Sequence, residues 1–200
     1  MDAAAWDERY AATELVWSAG PNQFVEQALA DLPPGRALDL ACGEGRNARW
    51  LAGRGWTVTA IDWSAVAVEK GRKVDETVDW QVGNALTAPL PTDLDLVVIA
   101  YFQVVAADRR TAVRRAFEAL RSGGSLFVVA HDSTNLTEGT GGPQDARVLM
   151  TADDVLGDLS GETFDVVHAD RVARVVTADD GHGSEEHRTA WDCLVRLVKR

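Results

Sequence analysis

The chain alternates short apolar runs with helical patterns from residue 36 almost to its end, and this alternation constrains the fold more than any other feature. The run 96–102 is apolar on both faces, as a central parallel strand must be when helices cover both sides of its sheet. Strands that alternate with helices predict a parallel sheet with right-handed crossovers. Five runs have the length and composition of strands: residues 37–41, 56–61, 78–82, 96–102 and 126–130.

Two longer apolar stretches close the chain. Residues 163–176 and 189–198 have the pattern of two long strands, and the acidic turn 178–186 between them is typical of a β-hairpin. The hairpin would add an antiparallel edge to the sheet. We therefore predict an α/β fold, with a doubly wound, Rossmann-like, mostly parallel seven-stranded sheet, an antiparallel C-terminal hairpin and helices on both faces.

The length of 200 residues suits one medium domain, so we expect a single domain over residues 1–200. A polar, glycine-rich segment within it is long enough that function is the usual explanation for such a loop. The predicted parts are a helical N-terminal segment, a core of strands and helices, this loop and the closing hairpin, at residues 1–32, 36–131, 132–150 and 163–198.

Two helices of the core have ends that the sequence predicts. Ser64 is placed to cap a helix over residues 65–71. In the clearest helix of the chain, Asp108 is expected to cap the start and Ser122-Gly123-Gly124 to end the helix.

Charge and composition exclude several classes of partner. The chain has 20 Lys and Arg against 31 Asp and Glu, a formal charge of −11, which repels nucleic acid and anionic lipid. The longest apolar run, residues 96–102, is far below the ~20 residues of a membrane-spanning helix, and the N-terminus lacks a secretion signal. Cys42 and Cys193 support no disulfide framework. We expect a cytoplasmic monomer or homodimer with neither a nucleic-acid nor a membrane partner.

The most specific motif turns sharply from the first predicted strand into a helix and contains Gly43 and Gly45, where backbone can approach a ligand closely. The bare pattern, G-x-G-x-x-A, also suits a dinucleotide-dependent oxidoreductase. Asp62 ends the second strand, where a carboxylate can accept both hydroxyls of an adenosine ribose, and Trp63 beside it offers a flat face for adenine. Asp39 distinguishes the possible cofactor classes better than Asp62 does. An acid inside the first strand suits a ligand with an ammonium group better than one with a pyrophosphate.

The segment Asp39-Leu40-Ala41-Cys42-Gly43-Glu44-Gly45 resembles motif I of the class I S-adenosylmethionine-dependent methyltransferases, usually D-x-G-x-G-x-G, with Ala41 in place of the middle glycine. Asp62 is similar to the family's ribose-binding acid. Further matches to the family lie at residues 83–85, 94–98 and 120–124, so the resemblance extends over roughly residues 36–131. Two positions depart from the family pattern: Asn84 stands where an Asp is common, and Ser122 where a Pro is common.

The segment Trp6 to Tyr10, Val16-Trp17 and Gly45-Arg46-Asn47 are similar to the small bacterial branch that includes tellurite-resistance and thiopurine-type methyltransferases. In that branch an N-terminal aromatic segment folds over the cofactor, so the resemblance implies that Trp17 is a lid residue.

The resemblance implies S-adenosylmethionine as cofactor, residues 36–131 as the cofactor-binding core and residues 132–150 as a substrate-side loop. The implied cofactor-binding residues are Asp39, Ala41, Cys42, Gly43, Gly45, Arg46, Asn47, Asp62, Trp63, Asn84, Ala85, Ala100 and Tyr101. The implied substrate-side residues are Trp17, Tyr101, Gln103, His131 and Asp132.

The expected reaction is methyl transfer to a small-molecule thiol, hydroxyl, amine or metalloid. His131 is a candidate general base, although we favour the simpler role in which it lines the pocket or bonds backbone, because its position alone does not establish proton transfer. His182, Glu185, Glu186 and His187 are expected to form a solvated hairpin tip rather than a metal site. An NAD(P)-dependent oxidoreductase and a non-catalytic S-adenosylmethionine-binding protein are the alternatives.

Overall fold

The structure, a computed structural model, describes residues 3–13, 20–179 and 185–200. The strands in these residues are β1 (Arg36–Leu40), β2 (Thr57–Asp62), β3 (Asp79–Val82), β4 (Leu94–Ala100), β5 (Leu120–His131), β6 (Phe164–Asp179) and β7 (Glu185–Lys199). The helices are α1 (Ala3–Ala11), α2 (Gln23–Leu29), α3 (Arg46–Gly53), α4 (Ala65–Val74), α5 (Ala106–Ala119), α6 (Asn135–Glu138) and α7 (Ala152–Asp158), with a 3₁₀ turn at Ala146–Val148.

The strands form one sheet in the order β3-β2-β1-β4-β5-β7-β6. Strands β1 to β5 pair in parallel, while β7 pairs antiparallel with both β5 and β6. The predicted mostly parallel sheet with a closing hairpin is therefore confirmed. The strand order reverses between β1 and β4, and ligands of such sheets bind at the carboxyl ends of the strands next to this reversal.

Apolar side chains cover both faces of the sheet. On one face, Val25 of α2, Leu51 of α3 and Val68 of α4 are fully buried against alternate residues of the central strands. On the other face, Phe117 of α5 and Val155 of α7 are buried in a second cluster. Helices on both faces, as predicted, leave the carboxyl edge of the sheet for a ligand.

The predicted boundaries of two helices can be compared with the structure. Ser64 caps α4 as predicted, because its hydroxyl accepts the amide N–H of Ala67 at 3.1 Å. The prediction that Asp108 caps α5 is wrong, because the helix begins two residues earlier and places Asp108 in its first turn. An acid there still favours the helix, since it lies near the positive end of the helix dipole.

The prediction that Ser122-Gly123-Gly124 ends this helix is also wrong, because α5 ends at Ala119 and β5 already runs through these residues. The glycines serve the sheet instead. Gly123 has a φ of 80°, and a Cβ on Gly124 would lie 2.6 Å from the carbonyl oxygen of Leu94 on β4. The pairing of β4 with β5 shifts register here, so the glycines allow the two strands to approach closely at a bulge.

Within the described residues, no helix has both the length and the apolar character that crossing a bilayer requires. Both cysteines, Cys42 and Cys193, are free thiols.

A buried ion pair joins α5 to α7. Arg109 donates from Nε to Asp158 at 2.6 Å and from a terminal nitrogen at 3.3 Å, and both side chains are buried. Arg110 also lies 3.3 Å from Asp158, but its side chain is 58% exposed. Arg109 therefore supplies most of the positive charge that stabilises the buried carboxylate of Asp158.

We expect Arg109→Met to lower the free energy of unfolding by about 3 kcal/mol, because the apolar stem is kept while a buried charge loses its main partner. Arg110→Met, which removes an exposed partner of the same carboxylate, should cost at most about 1 kcal/mol. Chemical denaturation of both variants measures the difference. Equal effects would contradict this account of the pair.

Candidate active site

The glycine-rich turn after β1 has the backbone conformation that its sequence predicts. Gly43 and Gly45 have φ values of 56° and 70°, and a Cβ on Gly45 would overlap the ring of Trp80. Ala41 also has a positive φ, 59°, where the resembling family has glycine. An alanine tolerates this left-handed conformation at a cost of roughly 1–2 kcal/mol. Cys42 is half-buried in the turn, and burial raises the pKa of its thiol, which disfavours a nucleophilic role.

Asp39 is a buried acid with one oxygen lacking a hydrogen-bond partner. Its Oδ2 accepts the amide N–H of Ala48 at 3.0 Å, whereas its Oδ1 is buried and accepts no hydrogen bond. Burial raises the pKa of Asp39 to about 7, and the nearby Asp62 adds to the rise. An unpaired, buried carboxylate oxygen is costly unless a ligand supplies a donor, so this atom fits a ligand with an ammonium group.

Asp62 connects two turns of the site. Its Oδ2 accepts the amide N–H of Gly43 at 2.8 Å and its Oδ1 that of Ser64 at 2.9 Å. Burial raises the pKa of this carboxyl, and the two amide donors oppose the rise. Each carboxylate oxygen can accept a second hydrogen bond, so Asp62 can still bind the hydroxyls of a ribose. Trp63 follows it, half-buried.

The remaining predicted cofactor residues differ in whether their side chains can still bind a ligand. Asn47 accepts the amide N–H of Asn22 at 2.9 Å and thus fixes the start of α2. Asn84 accepts the amide N–H of Leu86 at 2.8 Å in its own turn, although its side chain is exposed. Ala85 is buried in the core, and Ala100 is half-buried at the end of β4. Asn47 therefore has a structural role, while Asn84 can still offer a lone pair.

Arg46 connects the cofactor side of the site to the hairpin. Its pKa is lowered, chiefly by burial and also by the charge of Arg174, while Asp39 and Tyr101 act in the opposite direction. These interactions indicate that the start of α3, the end of β4 and strand β6 lie near one another, which brings predicted cofactor-side residues close to predicted substrate-side residues.

On the substrate side, the structure brings Tyr101, Gln103 and His131 together. The rings of Tyr101 and His131 have centroids 5.0 Å apart, and Gln103 accepts the amide N–H of His131 at 2.8 Å. Gln103 also donates to the carbonyl of Val148 at 2.6 Å, which fixes the end of the 132–150 loop. Tyr101 has a φ of 57°, a conformation that is uncommon for a bulky residue and that recurs at functional sites.

The structure does not connect two of the predicted substrate-side residues, Asp132 and Trp17, to this group. Asp132 is buried, and its Oδ1 accepts the amide N–H and the hydroxyl of Thr134 at 2.9 and 2.7 Å, so its side chain stabilises its own turn. Trp17 lies outside the described residues, as does His182 of the hairpin tip. Among the described residues, no group of three or more His, Cys, Asp or Glu side chains could hold a metal ion.

The N-terminal helix contacts the glycine-rich turn through one lysine. Lys70 of α4 donates to the carbonyls of Tyr10 and Thr13 at 2.5 Å each and to Glu44 at 3.1 Å. Asp7 of α1 accepts the amide N–H of Val66 at 3.2 Å at the start of α4. Helix α1 is thereby held next to the predicted cofactor site.

Sequence reasoning missed Asp192, which is fully buried on β7 beside His131. The sequence contained a signal for it, because Asp192 interrupts the apolar run 190–195 as Asp39 interrupts the apolar run of β1. Trp80, whose ring packs against Gly45 and Gly71, was also missed. Its role depends on contacts between distant segments, which periodicity alone does not show.

Residues 37–124 match the family model described as a methyltransferase domain. A demethylmenaquinone methyltransferase of Renibacterium salmoninarum is 27% identical over 134 residues, which are 63% of this chain and 56% of that protein. The chain spans 33% to 56% of the length of the curated relatives it matches.

Solved structures share the fold. TehB from Haemophilus influenzae has a TM-score of 0.72 at 16% identity, with 90% of this chain and 63% of that chain covered. The N-methyltransferase NodS from Bradyrhizobium japonicum, solved with S-adenosyl-L-homocysteine, has a TM-score of 0.72 at 18% identity, with 98% and 97% covered. The shared fold and the methyltransferase-domain match over residues 37–124 agree with the resemblance of the motif to class I S-adenosylmethionine-dependent methyltransferases.

We expect S-adenosylhomocysteine binding to release a proton near pH 6 and none at pH 8. The pKa of Asp39 is about 7, so the carboxyl is mostly protonated at pH 6, and a bound ammonium group favours its ionised form. Calorimetry in buffers of different ionisation enthalpy counts the protons. Asp39→Asn should bind more weakly and abolish the difference; the same proton count in the variant and the wild type would refute the assignment.

Proposed function

We propose that the protein transfers a methyl group from S-adenosylmethionine to a small-molecule acceptor. The observation that carries the proposal is the buried Asp39 Oδ1, which has no hydrogen-bond partner and lies beside a glycine turn held by Asp62. A buried acceptor atom left unpaired calls for a donor from a ligand. The family match at residues 37–124 supports the same activity.

The residues present fit the cofactor. We assign its ammonium group to Asp39, its ribose hydroxyls to Asp62 and its adenine to the face of Trp63 and the turn at Asn84. When bound, S-adenosylmethionine supplies a methyl group on a sulfonium, which is a good leaving group. The protein therefore contributes mainly alignment of the acceptor and exclusion of water.

Several features support a small acceptor. The formal charge of −11 disfavours nucleic acid, and the 132–150 loop contacts Gln103 and His131, which narrows the space beside the proposed cofactor site. The names of the two similar methyltransferases point to different acceptors: demethylmenaquinone for one and a nitrogen atom for NodS. The acceptor therefore has to be argued from this chain's own residues.

We expect the wild-type protein to bind S-adenosylmethionine and S-adenosylhomocysteine at micromolar concentrations and not NADH. Asp62→Ala should weaken binding of both by about 100-fold or more, since hydrogen bonds to a charged group contribute roughly 1.5–3 kcal/mol each. Isothermal titration calorimetry measures this. The matched control is Asp79→Ala, an exposed acid at the start of the neighbouring β3.

Thermal unfolding of Asp62→Ala distinguishes lost binding from lost folding, because Asp62 also holds two backbone amides. Unchanged cofactor affinity in a folded Asp62→Ala protein would overturn the assignment. Binding of NADH instead would support the oxidoreductase. Cofactor binding without transfer to any acceptor would support a non-catalytic binding protein.

A further inference from the structure

A fully buried carboxylate, Asp192, lies on the substrate side of the site and binds three side chains. Arg174 donates to its Oδ2 at 2.6 Å, and the hydroxyl of Tyr101 donates to the same oxygen at 2.9 Å. Nδ1 of His131 lies 3.3 Å from its Oδ1. Burial alone would raise the pKa of Asp192, but these three partners together hold it below its ordinary value. Asp192 is therefore ionised at neutral pH.

The ring of His131 is held between its neighbours. Tyr101 lies against it at an interplanar angle of 52°, and a Cβ on Gly142 would come within 2.9 Å of the ring, so the loop backbone packs closely against it. Nδ1 is buried and is not aligned for a linear hydrogen bond, although Asp192 is within reach. Such bonds often tighten only when substrate binds.

The side chain of His131 is 15% exposed, whereas its Nδ1, the nitrogen that lies 3.3 Å from Asp192, is buried. A carboxylate at Nδ1 favours the tautomer that carries its proton there, which leaves Nε2 as a proton acceptor. This is the arrangement of a histidine base and its orienting acid, met here on the hairpin of a methyltransferase fold.

The position of this pair relative to the cofactor residues suits proton transfer. Tyr101 follows β4, which pairs directly with β1, the strand that contains Asp39. The pKa of Arg46 responds to Asp39, Tyr101 and Arg174 together. An acceptor placed between Asp39 and the hairpin would therefore lie close to the ring of His131.

We propose that His131 is the general base of the reaction, that Asp192 is the residue that positions it, and that the acceptor is a hydroxyl or thiol. This inference rests on the proposed methyl transfer. The acceptor oxygen or sulfur forms a bond to the methyl carbon while the carbon–sulfonium bond breaks, and that electron pair stays on the departing thioether sulfur. The acceptor's proton moves to Nε2 of His131 and then to solvent.

The acceptor class follows from the need for a base. A hydroxyl or thiol gains nucleophilic strength as it loses its proton, so an aligned base accelerates its methylation. A neutral amine attacks through its lone pair without prior proton loss, and a metalloid lone pair carries no proton. Arg174 balances the charge of Asp192, so the oxygen or sulfur that becomes negative is not repelled.

The first test measures the imidazole directly, by ¹⁵N NMR of the protein bound to S-adenosylhomocysteine at pH 8. We expect the His131 proton on Nδ1 in the wild type and a shift toward Nε2 in Asp192→Asn. His168, exposed on β6, is the internal control. A proton on Nε2 in the wild type, or the same tautomer in both proteins, would overturn the pairing.

The second test uses 4-methylphenol, phenylmethanethiol, aniline and sodium selenite as acceptors, with S-adenosylhomocysteine formation as the readout. The phenol and the thiol keep their proton near neutral pH and therefore need a base, whereas aniline is a neutral amine there. We expect transfer to the phenol or the thiol. His131→Gln should lower kcat by roughly 10²–10⁴-fold. Among the described residues, the ring faces two charged groups, Asp192 on β7 and Arg174 on β6, and the neutral phenol of Tyr101 after β4.

Asp192→Asn should lower kcat by at least about tenfold with the KM for S-adenosylmethionine unchanged, and Asp192→Glu should restore part of it. Asp170→Asn, an exposed acid on the same hairpin, is the matched control and should leave kcat unchanged. Transfer to aniline or selenite alone, or full activity in His131→Gln, would overturn the inference. Cofactor binding without transfer to any probe would contradict the proposed function, and the NMR result would still decide the pairing.

Discussion

One carboxylate, that of Asp62, holds together two of the turns from which the site is built. It ends β2 and accepts amide N–H groups from Gly43 in the turn after β1 and from Ser64 at the start of α4. Parallel strands bring their carboxyl ends to one edge, but nothing in the sheet itself fixes the turns that leave this edge. Asp62 fixes two of them, and Ser64 and Lys70 then position α4 and α1 around the same edge.

Two buried acids at this edge, Asp39 and Asp192, differ in how their charge is compensated, and the difference separates their roles. Asp39 has one backbone donor and an unpaired oxygen, and its pKa is raised to about 7. Asp192 has three side-chain partners, and its pKa is lowered although burial opposes this. An acid with an unpaired atom suits a ligand that completes its hydrogen bonds, whereas an acid saturated by the protein suits the orientation of a neighbouring side chain.

The sequence was sufficient for the fold, and it also gave the residues on which the proposed cofactor site depends, because both follow from local order. Alternating apolar runs fix the sequence of strands and helices, and Asp39 and Asp62 stand at set distances from Gly43. The partners of Asp192 could not be predicted, since they come from β4, β5 and β6 and meet only through the hairpin register. Local signals also misled where tertiary contact decides: Gly123 and Gly124 serve a strand bulge rather than a helix end. Asp132 follows a strand as a site residue would, yet it binds Thr134 in its own turn.

The charges around the site are distributed differently from those of the whole chain. The chain has a formal charge of −11, which by itself would oppose negative charge developing on an acceptor. At the site, however, Arg174 neutralises Asp192, and Arg46 lies close enough to Asp39 to affect its charge. Both guanidinium groups are partly buried, where charges are screened less by solvent than at the surface. For an acceptor at the site, these local ion pairs therefore matter more than the net charge of the chain. A neutral acceptor that loses its proton to His131 becomes negative in a region where carboxylates and guanidinium groups balance each other.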